Sequence, residues 1–323
     1  MTKSPLLLRQ PTLLGALRSQ PLPIVWDGGI GTALISRGLT LASEPPEAWL
    51  WSHREEVAAV HRGFAAARVD VLQTNSFGLV RLLASDSLPK QPAGGRTPSL
   101  VEYVRRSVEL ACEALNPSVE RPAWVVASIG PTGMVGIDHG KLGALYGEVA
   151  TAFASQQVAA LHLETCFDAT ELRVAVRAIR EAVPELPLFV SLTVTHGQLG
   201  LETPLGVPLA RMLRELEDEP PSLIGVNCSQ NPERMRGAVA ALAEWAQSSG
   251  RAIPVLARPQ LHNGTPDCKR PSKDISPQKF ATELLGLLDE GATAIGGCCG
   301  VTAAHLAAVR QTIEGFLSPP STL

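Results

Sequence analysis

Along the whole chain, short runs of apolar and β-branched residues alternate with longer stretches in which apolar positions recur every three or four residues. Eight short runs stand out: 24–29 (IVWDGG), 69–76 (VDVLQTNS), 124–131 (WVVASIGP), 161–166 (LHLETC), 188–194 (LFVSLTV), 223–229 (LIGVNCS), 253–259 (IPVLARP) and 294–300 (AIGGCCG). Most run out into glycine, proline or small polar residues, the usual exit of a strand into a loop. The stretches between them, such as 54–67 (REEVAAVHRGFAAA), 100–115, 169–183 and 232–250, gather their apolar residues on one face of a helix.

Continuous apolar runs fit strands covered on both faces, as in a parallel sheet with helices packed over it. Eight strand–helix units in 323 residues predict an α/β fold closed into a (β/α)8 barrel, with an open doubly wound sheet as the alternative. An open sheet of that kind commonly carries a GxGxxG turn after its first strand, and DGGIGTAL at 27–34 lacks that spacing. Segment 83–100, rich in Pro, Gly and Ser, reads as an extended loop at the barrel mouth, since strand–helix alternation continues on both sides. No domain boundary is evident, so residues 1–323 are expected to form a single domain, with 317–323 as a frayed tail.

Composition narrows the setting. With 45% hydrophobic residues, a formal charge of -3 and scattered Lys and Arg, the chain offers no footprint for nucleic acid. The apolar run Leu6–Leu8 stops at Arg9 and Gln10, too short for a secretion signal, and no membrane span is present, so a cytoplasmic protein is expected. Six cysteines are too few to staple a chain of this length, and in a reducing compartment they are buried, metal-binding or catalytic. Cys112, Cys166 and Cys268 read as small buried hydrophobes.

In such a barrel, chemistry belongs to the carboxyl ends of the strands. There fall Asp27, Thr74, Asn75, Ser128, Glu164, Thr193, Asn227, Cys228, Cys298 and Cys299. Closure would bring Cys228 together with the Cys298–Cys299 pair, and three thiolates suit an open zinc site. Adjacent cysteines reach one ion only if the backbone turns sharply, which Gly296, Gly297 and Gly300 permit. A disulfide between neighbours would be strained, and the CxxC of redox pairs is absent. A thiolate-rich zinc binds a further thiol and holds it deprotonated, which points to alkyl transfer onto sulfur. Glu164 could accept a substrate ammonium, and backbone amides near Asp27, Gly28 and Gly29 its carboxylate. His162, on the same strand face as Glu164, either braces it or is a hydrogen-bonded core histidine.

In order and spacing, DGGIGTAL, QTNSFG, SIGPTG, LETCFDATEL, GVNCS and GGCCG resemble the zinc-dependent homocysteine S-methyltransferase family over most of the chain. The resemblance implies a (β/α)8 barrel that binds one zinc through three cysteines and methylates homocysteine to methionine. It assigns Cys228, Cys298 and Cys299 to zinc, and Asp27, Gly28, Gly29, Glu164 and Asn227 to the homocysteine pocket. Thr74, Asn75 and Ser128 become pocket-wall residues. Two departures stand out. Gln260 replaces the asparagine of a Pro-Asn-x-Gly stretch that borders the metal in some relatives, leaving the resting fourth ligand open. Arg68 replaces a glycine expected where a helix ends, a position that often wants positive φ, at a cost of about 1 kcal/mol.

The family draws methyl groups from betaine, from S-methylmethionine or S-adenosylmethionine, or from a methylated corrinoid. Aromatic content of 4%, with Tyr103 and Tyr146 the sole tyrosines, disfavours a cage for betaine. Thr165 also stands where the betaine enzymes carry an aromatic. No cobalamin, folate or reductase module follows the barrel, so a corrinoid would require a partner protein docking over the rim. The expectation is therefore a small sulfonium donor, S-methylmethionine first and S-adenosylmethionine second. Selenocysteine or another thiol as acceptor, the homocysteine-binding half of a corrinoid-dependent methionine synthase, and a non-catalytic zinc or thiol-amino-acid sensor remain as alternatives.

Overall fold

The computed structural model describes residues 11–91, 95–115, 123–198, 200–228, 230–261 and 275–317. The eight apolar runs form β1 (Ile24–Val25), β2 (Val71–Gln73), β3 (Trp124–Ile129), β4 (Leu161–Cys166), β5 (Leu188–Leu192), β8 (Leu223–Asn227), β9 (Val255–Arg258) and β10 (Ala294–Ile295). Between β5 and β8 lies a small antiparallel hairpin, β6 (Thr195–Gly197) and β7 (Gly200–Glu202). The eight strands pair in parallel in the order β1-β10-β9-β8-β5-β4-β3-β2, and a bridge from Trp26 to Val71 draws β1 against β2. The chain is a nearly closed (β/α)8 TIM barrel.

Helices fill the connections: α1 (Leu13–Ser19), α2 (Ile30–Ile35), α3 (Trp49–Ser52), α4 (Arg54–Ala66), α5 (Leu79–Ala84), α6 (Leu100–Ala114), α7 (His139–Ala154) and α8 (Ala169–Ala182). After them come α9 (Leu209–Arg214), α10 (Pro232–Ser248), α11 (Pro277–Leu285) and α12 (Ala303–Leu317). Their starts are written locally: Ser99, Asp138, Asp168, Asn231 and Ser276 each accept from the backbone N–H three residues on, a cap contributing about 1 kcal/mol. Among the described residues no helix is long and apolar enough to cross a membrane.

The strands obey a period of two that separates two cores. Outward residues such as Val25, Leu72, Leu163, Val190, Val226 and Ala257 pack with the helices. Inward residues at the amino ends, including Ile24, Val71, Trp124, Phe189, Leu223 and Leu256, form a second cluster with Leu13, Ala16 and Leu17. Helix α1 therefore plugs the amino-terminal mouth. One or two steps further along the same inward rows the side chains turn polar: Gln73, Ser128, His162, Glu164, Ser191, Asn227 and Arg258, all buried. The seam between β1 and β2 is reinforced from outside, where buried Asp70 accepts from Arg310 of α12 at 2.6 Å and from the Val25 amide at 2.8 Å.

Three sequence expectations are refined. Segment 83–100 is not all loop, because Leu83 and Ala84 end α5 and Leu100 begins α6; the described residues 85–91 and 95–99 between them are neither helix nor strand. Of the expected tail 317–323, Leu317 ends α12 and the remainder lies outside the described residues. Arg68 does adopt positive φ, +60°, and its carbonyl accepts from Arg310 Nε at 2.9 Å.

Candidate functional site

Three loops at the carboxyl rim carry the cysteines, and hydrogen bonds stitch those loops together. Cys228, just past β8, sits at φ +61° and donates its amide to the Arg258 carbonyl at 3.1 Å. Cys298 and Cys299 follow β10; the Cys298 amide bonds the Pro259 carbonyl at 2.8 Å, and the Leu261 amide bonds the Cys299 carbonyl at 3.1 Å. The result brings the three Sγ atoms within 4.8 Å of one another, with Cys228 and Cys299 at 3.6 Å although 71 positions apart. Sulfurs on a tetrahedral zinc, each at about 2.3 Å, stand about 3.8 Å apart, so the trio fits such an ion. Gln260 borders it, its Oε1 accepting from Cys228 Sγ at 3.5 Å. The bond from Cys228, with burial added, pushes the Cys298 thiol up to about 12, and the same neighbours push Cys299 well above the usual thiol range. Such a cluster ionises only with a cation to neutralise it.

The cysteine turn is also clamped to the loop after β1. The Gly29 amide donates to the Cys298 carbonyl at 3.1 Å, and the Gly297 amide to the Asp27 carbonyl at 3.0 Å. A Cβ on Gly29 would lie 2.8 Å from that Cys298 oxygen. Gly300, at φ +81°, lets the chain leave the turn.

Beneath the sulfurs lies an acidic floor. Glu164 Oε1 accepts from Ser128 Oγ at 2.5 Å and Gln73 Nε2 at 2.9 Å. Its Oε2 accepts from Arg258 Nη1 at 3.0 Å and Asn227 Nδ2 at 3.4 Å. Asp27 accepts from the Gln73 amide at 2.7 Å and from Arg258 Nη2 at 3.2 Å. Burial raises the Asp27 carboxyl to about 7, against the opposing pull of Arg258. Burial opposes the charge of Arg258 too, yet Glu164, Asp27 and the cysteines outweigh it and keep the guanidinium firmly protonated. His162 stands one layer lower and touches Gln73 rather than Glu164. Its Nδ1 accepts from Gln73 Nε2 at 3.1 Å, so Nε2 carries the proton and donates to Ser191 Oγ at 2.7 Å. Burial depresses its pKa to about 4, and the ring stays neutral.

Asn227 joins floor to sulfurs. Its Nδ2 reaches Glu164, Thr165 Oγ1 at 2.9 Å and Cys298 Sγ at 3.9 Å, while Oδ1 accepts from the Thr165 amide at 3.0 Å. Thr165, at φ +62°, sits where β4 breaks register against β5. Other sequence candidates brace the rim from outside the floor. Thr74 Oγ1 accepts from the Ser128 amide at 3.0 Å, Asn75 Nδ2 holds the Pro46 carbonyl at 2.8 Å, and Thr193 Oγ1 holds the Asn227 carbonyl at 3.0 Å. Of the amides expected to be open, Asp27 spends its own on Val71 and Gly29 on Cys298. Cys166 is buried and Cys112 partly so. Cys268 lies outside the described residues.

The model of the homocysteine S-methyltransferase family matches residues 24–313. The chain belongs to that family. Among its methyltransferase relatives, the methionine synthase of Mycobacterium tuberculosis (strain ATCC 25618 / H37Rv) is 28% identical over 311 residues, 92% of this chain and 25% of the relative. That of Mycobacterium leprae (strain TN) is 29% identical over 307 residues, 90% and 24% respectively. The chain thus spans about a quarter of the length of these curated relatives. The crystal structure of the metallated form of the homocysteine methyltransferase MmuM from Escherichia coli shares the fold, with TM-score 0.72 and 22% identity over 93% of this chain and 99% of that one.

Within this methyltransferase barrel, sequence reading missed Gln73 and Arg258. Both occupy inward strand positions, two after Val71 and Leu256 of the inner cluster. A cation on an otherwise apolar inward row is the signal that marks Arg258, since a buried charge requires partners.

Proposed function

We propose that the protein, as one (β/α)8 domain, transfers a methyl group to the thiol of homocysteine and releases methionine, with zinc held by Cys228, Cys298 and Cys299. The donor in this reading is a small sulfonium, S-methylmethionine first and S-adenosylmethionine second. The observation that carries it is the convergence of three sulfurs from distant strands to within 4.8 Å at the carboxyl rim. Bound there, zinc supplies the positive charge that keeps a ligating substrate thiol ionised near neutral pH.

The chain's own groups do the positioning. Asn227 spaces Cys298 from Glu164, and the paired bonds of Gly29 and Gly297 hold the cysteine turn against Asp27. Asp27, Gly28, Gly29, Glu164 and Asn227 wall the acceptor, with Ser128 fixing Glu164 and Thr74 and Asn75 holding the adjoining rim. A sulfonium methyl is already activated, so transfer needs chiefly that nucleophile, carbon and leaving sulfur lie in line. A site built on three cysteines suits the reducing cytoplasm.

A second reading has its own support. The relatives match this chain over only a quarter of their length, and Phe77, Met134 and Val135 stand exposed on the loops after β2 and β3, at the same rim. In that reading the barrel is the acceptor half of a machine in which a corrinoid protein docks over the mouth. One experiment separates the two: methionine formation by reduced, zinc-loaded protein with homocysteine and, in parallel, S-methylmethionine, S-adenosylmethionine, betaine and methylcobalamin. Product from a sulfonium alone supports the self-contained enzyme. Product from methylcobalamin alone supports the corrinoid system, and no product from any donor overturns both in favour of another acceptor or a sensor.

A further inference from the structure

Arg258 is a fully formed cation in the position where an acidic floor would otherwise await one. Its Nε donates to the Gly297 carbonyl at 2.9 Å, Nη1 to Gln73 Oε1 and to Glu164 Oε2 at 3.0 Å, and Nη2 to Asp27 Oδ1 at 3.2 Å. The side chain is 3% exposed, against 0% and 9% for its two carboxylate partners. An ionised carboxylate accepts about four hydrogen bonds, and Glu164 receives four, from Ser128, Gln73, Arg258 and Asn227. No acceptor site is left on Glu164 for a substrate ammonium, and the Asp27 oxygen nearest the guanidinium is already paired.

Resting on the methyltransferase reading above, we infer that Arg258 determines acceptor specificity: its guanidinium completes the set of donors on Glu164 that a substrate ammonium would otherwise join, so the acceptor is selected by its thiol and not by its amino group. The acceptor class is accordingly alkyl thiols bearing a carboxylate, with or without an α-ammonium. A site whose buried acids waited for an ammonium would leave them unpaired when that group is missing, and sites of that kind reject the analogue strongly. Here the internal cation keeps them paired whatever the acceptor carries. Arg258 also lies beside the sulfurs, its carbonyl accepting the Cys228 amide and its Nε bonding the residue before Cys298. Its charge is offset by the two carboxylates it bonds, so a cationic acceptor brings an ammonium that finds no unpaired acid there.

The test is a titration of the cobalt(II)-loaded protein, read by the sulfur-to-cobalt charge-transfer absorption, with three thiols. They are homocysteine, 4-mercaptobutyrate, which lacks only the amino group, and 3-mercaptopropylamine, which lacks only the carboxylate. The expected result is a Kd for 4-mercaptobutyrate within about fivefold of that for homocysteine, with 3-mercaptopropylamine the weakest. In Arg258→Met, which strips the cation from the floor, preference for homocysteine over 4-mercaptobutyrate rises by about tenfold or more. Wild-type discrimination of about a hundredfold or more against 4-mercaptobutyrate overturns the inference without any variant and leaves the methyltransferase reading standing. No absorption change with any thiol overturns both.

Discussion

Cys298 serves two structures at once. Its carbonyl accepts from the Gly29 and Val301 amides while its sulfur belongs to the cysteine trio. Cys298→Ser keeps the backbone bonds and removes one soft ligand, so the fold should survive while metal content falls below about one-tenth equivalent. Metal analysis, circular dichroism and a turnover assay check this together, and a variant with full turnover would sink the three-cysteine assignment. His61 makes a different prediction. It is wholly buried on α4 with neither ring nitrogen hydrogen-bonded, and burial lowers its pKa to about 4. The unfolded chain takes up the proton near pH 6.5 and the folded one near pH 4, so stability drops as pH falls through that window, by about 3 kcal/mol in all. His162 acts in the same direction and Asp27, with its raised carboxyl, in the opposite one, so the contribution of His61 shows only as a difference between proteins. In urea unfolding at about pH 7 and pH 5, His61→Leu should lose about 2 kcal/mol less than wild type. At this scale the cysteines were legible because residue type and strand-end position agreed. Gln73 and Arg258 were not, because their meaning lies in partners as far as 185 and 231 positions away.

At the scale of elements, burial on both faces wrote the eight barrel strands plainly, since each needed a continuous apolar run. The β6–β7 hairpin escaped because it is wet: of its described residues none is buried, and nothing in THGQLGLE alternates between a core and a solvent face. Leu83 and Ala84 were hidden by the Pro- and Gly-rich residues that follow them. In the site, the loop after β1 lies tight against the turn after β10. Gly29→Ala puts a methyl 2.8 Å from a backbone oxygen that no rotamer change can move. The turn has to yield, at about 1–3 kcal/mol, and the sulfurs of Cys298 and Cys299 move with it. The expected outcome is metal affinity weakened by about tenfold alongside a lower Tm, measured by competition with a chromophoric chelator and by calorimetry. Unchanged affinity would show that the clamp does not set the cysteine geometry.

The whole barrel closes at its thinnest point, two-residue β1 against β2, and the buried Arg310–Asp70 pair stands guard there. Arg310→Met leaves Asp70 without that partner in a dry environment, a change that costs about 3–5 kcal/mol. Thermal unfolding should register the loss, and amide hydrogen exchange should accelerate first at Asp27 and Asp70, whose amides cross the seam to the Val71 and Val25 carbonyls. At the other end, α1 fills the amino-terminal mouth with Leu13, Ala16 and Leu17. A vessel with one door imposes a queue. For the proposed reaction, the acceptor sits beside the sulfurs above the floor and the donor must stack outside it, so the acceptor boards first and its methylated product disembarks last. With S-adenosylmethionine as donor, whose own leaving product is not methionine, steady-state kinetics should be ordered, with methionine competing against homocysteine but not against the donor. Traffic through this barrel is last in, first out.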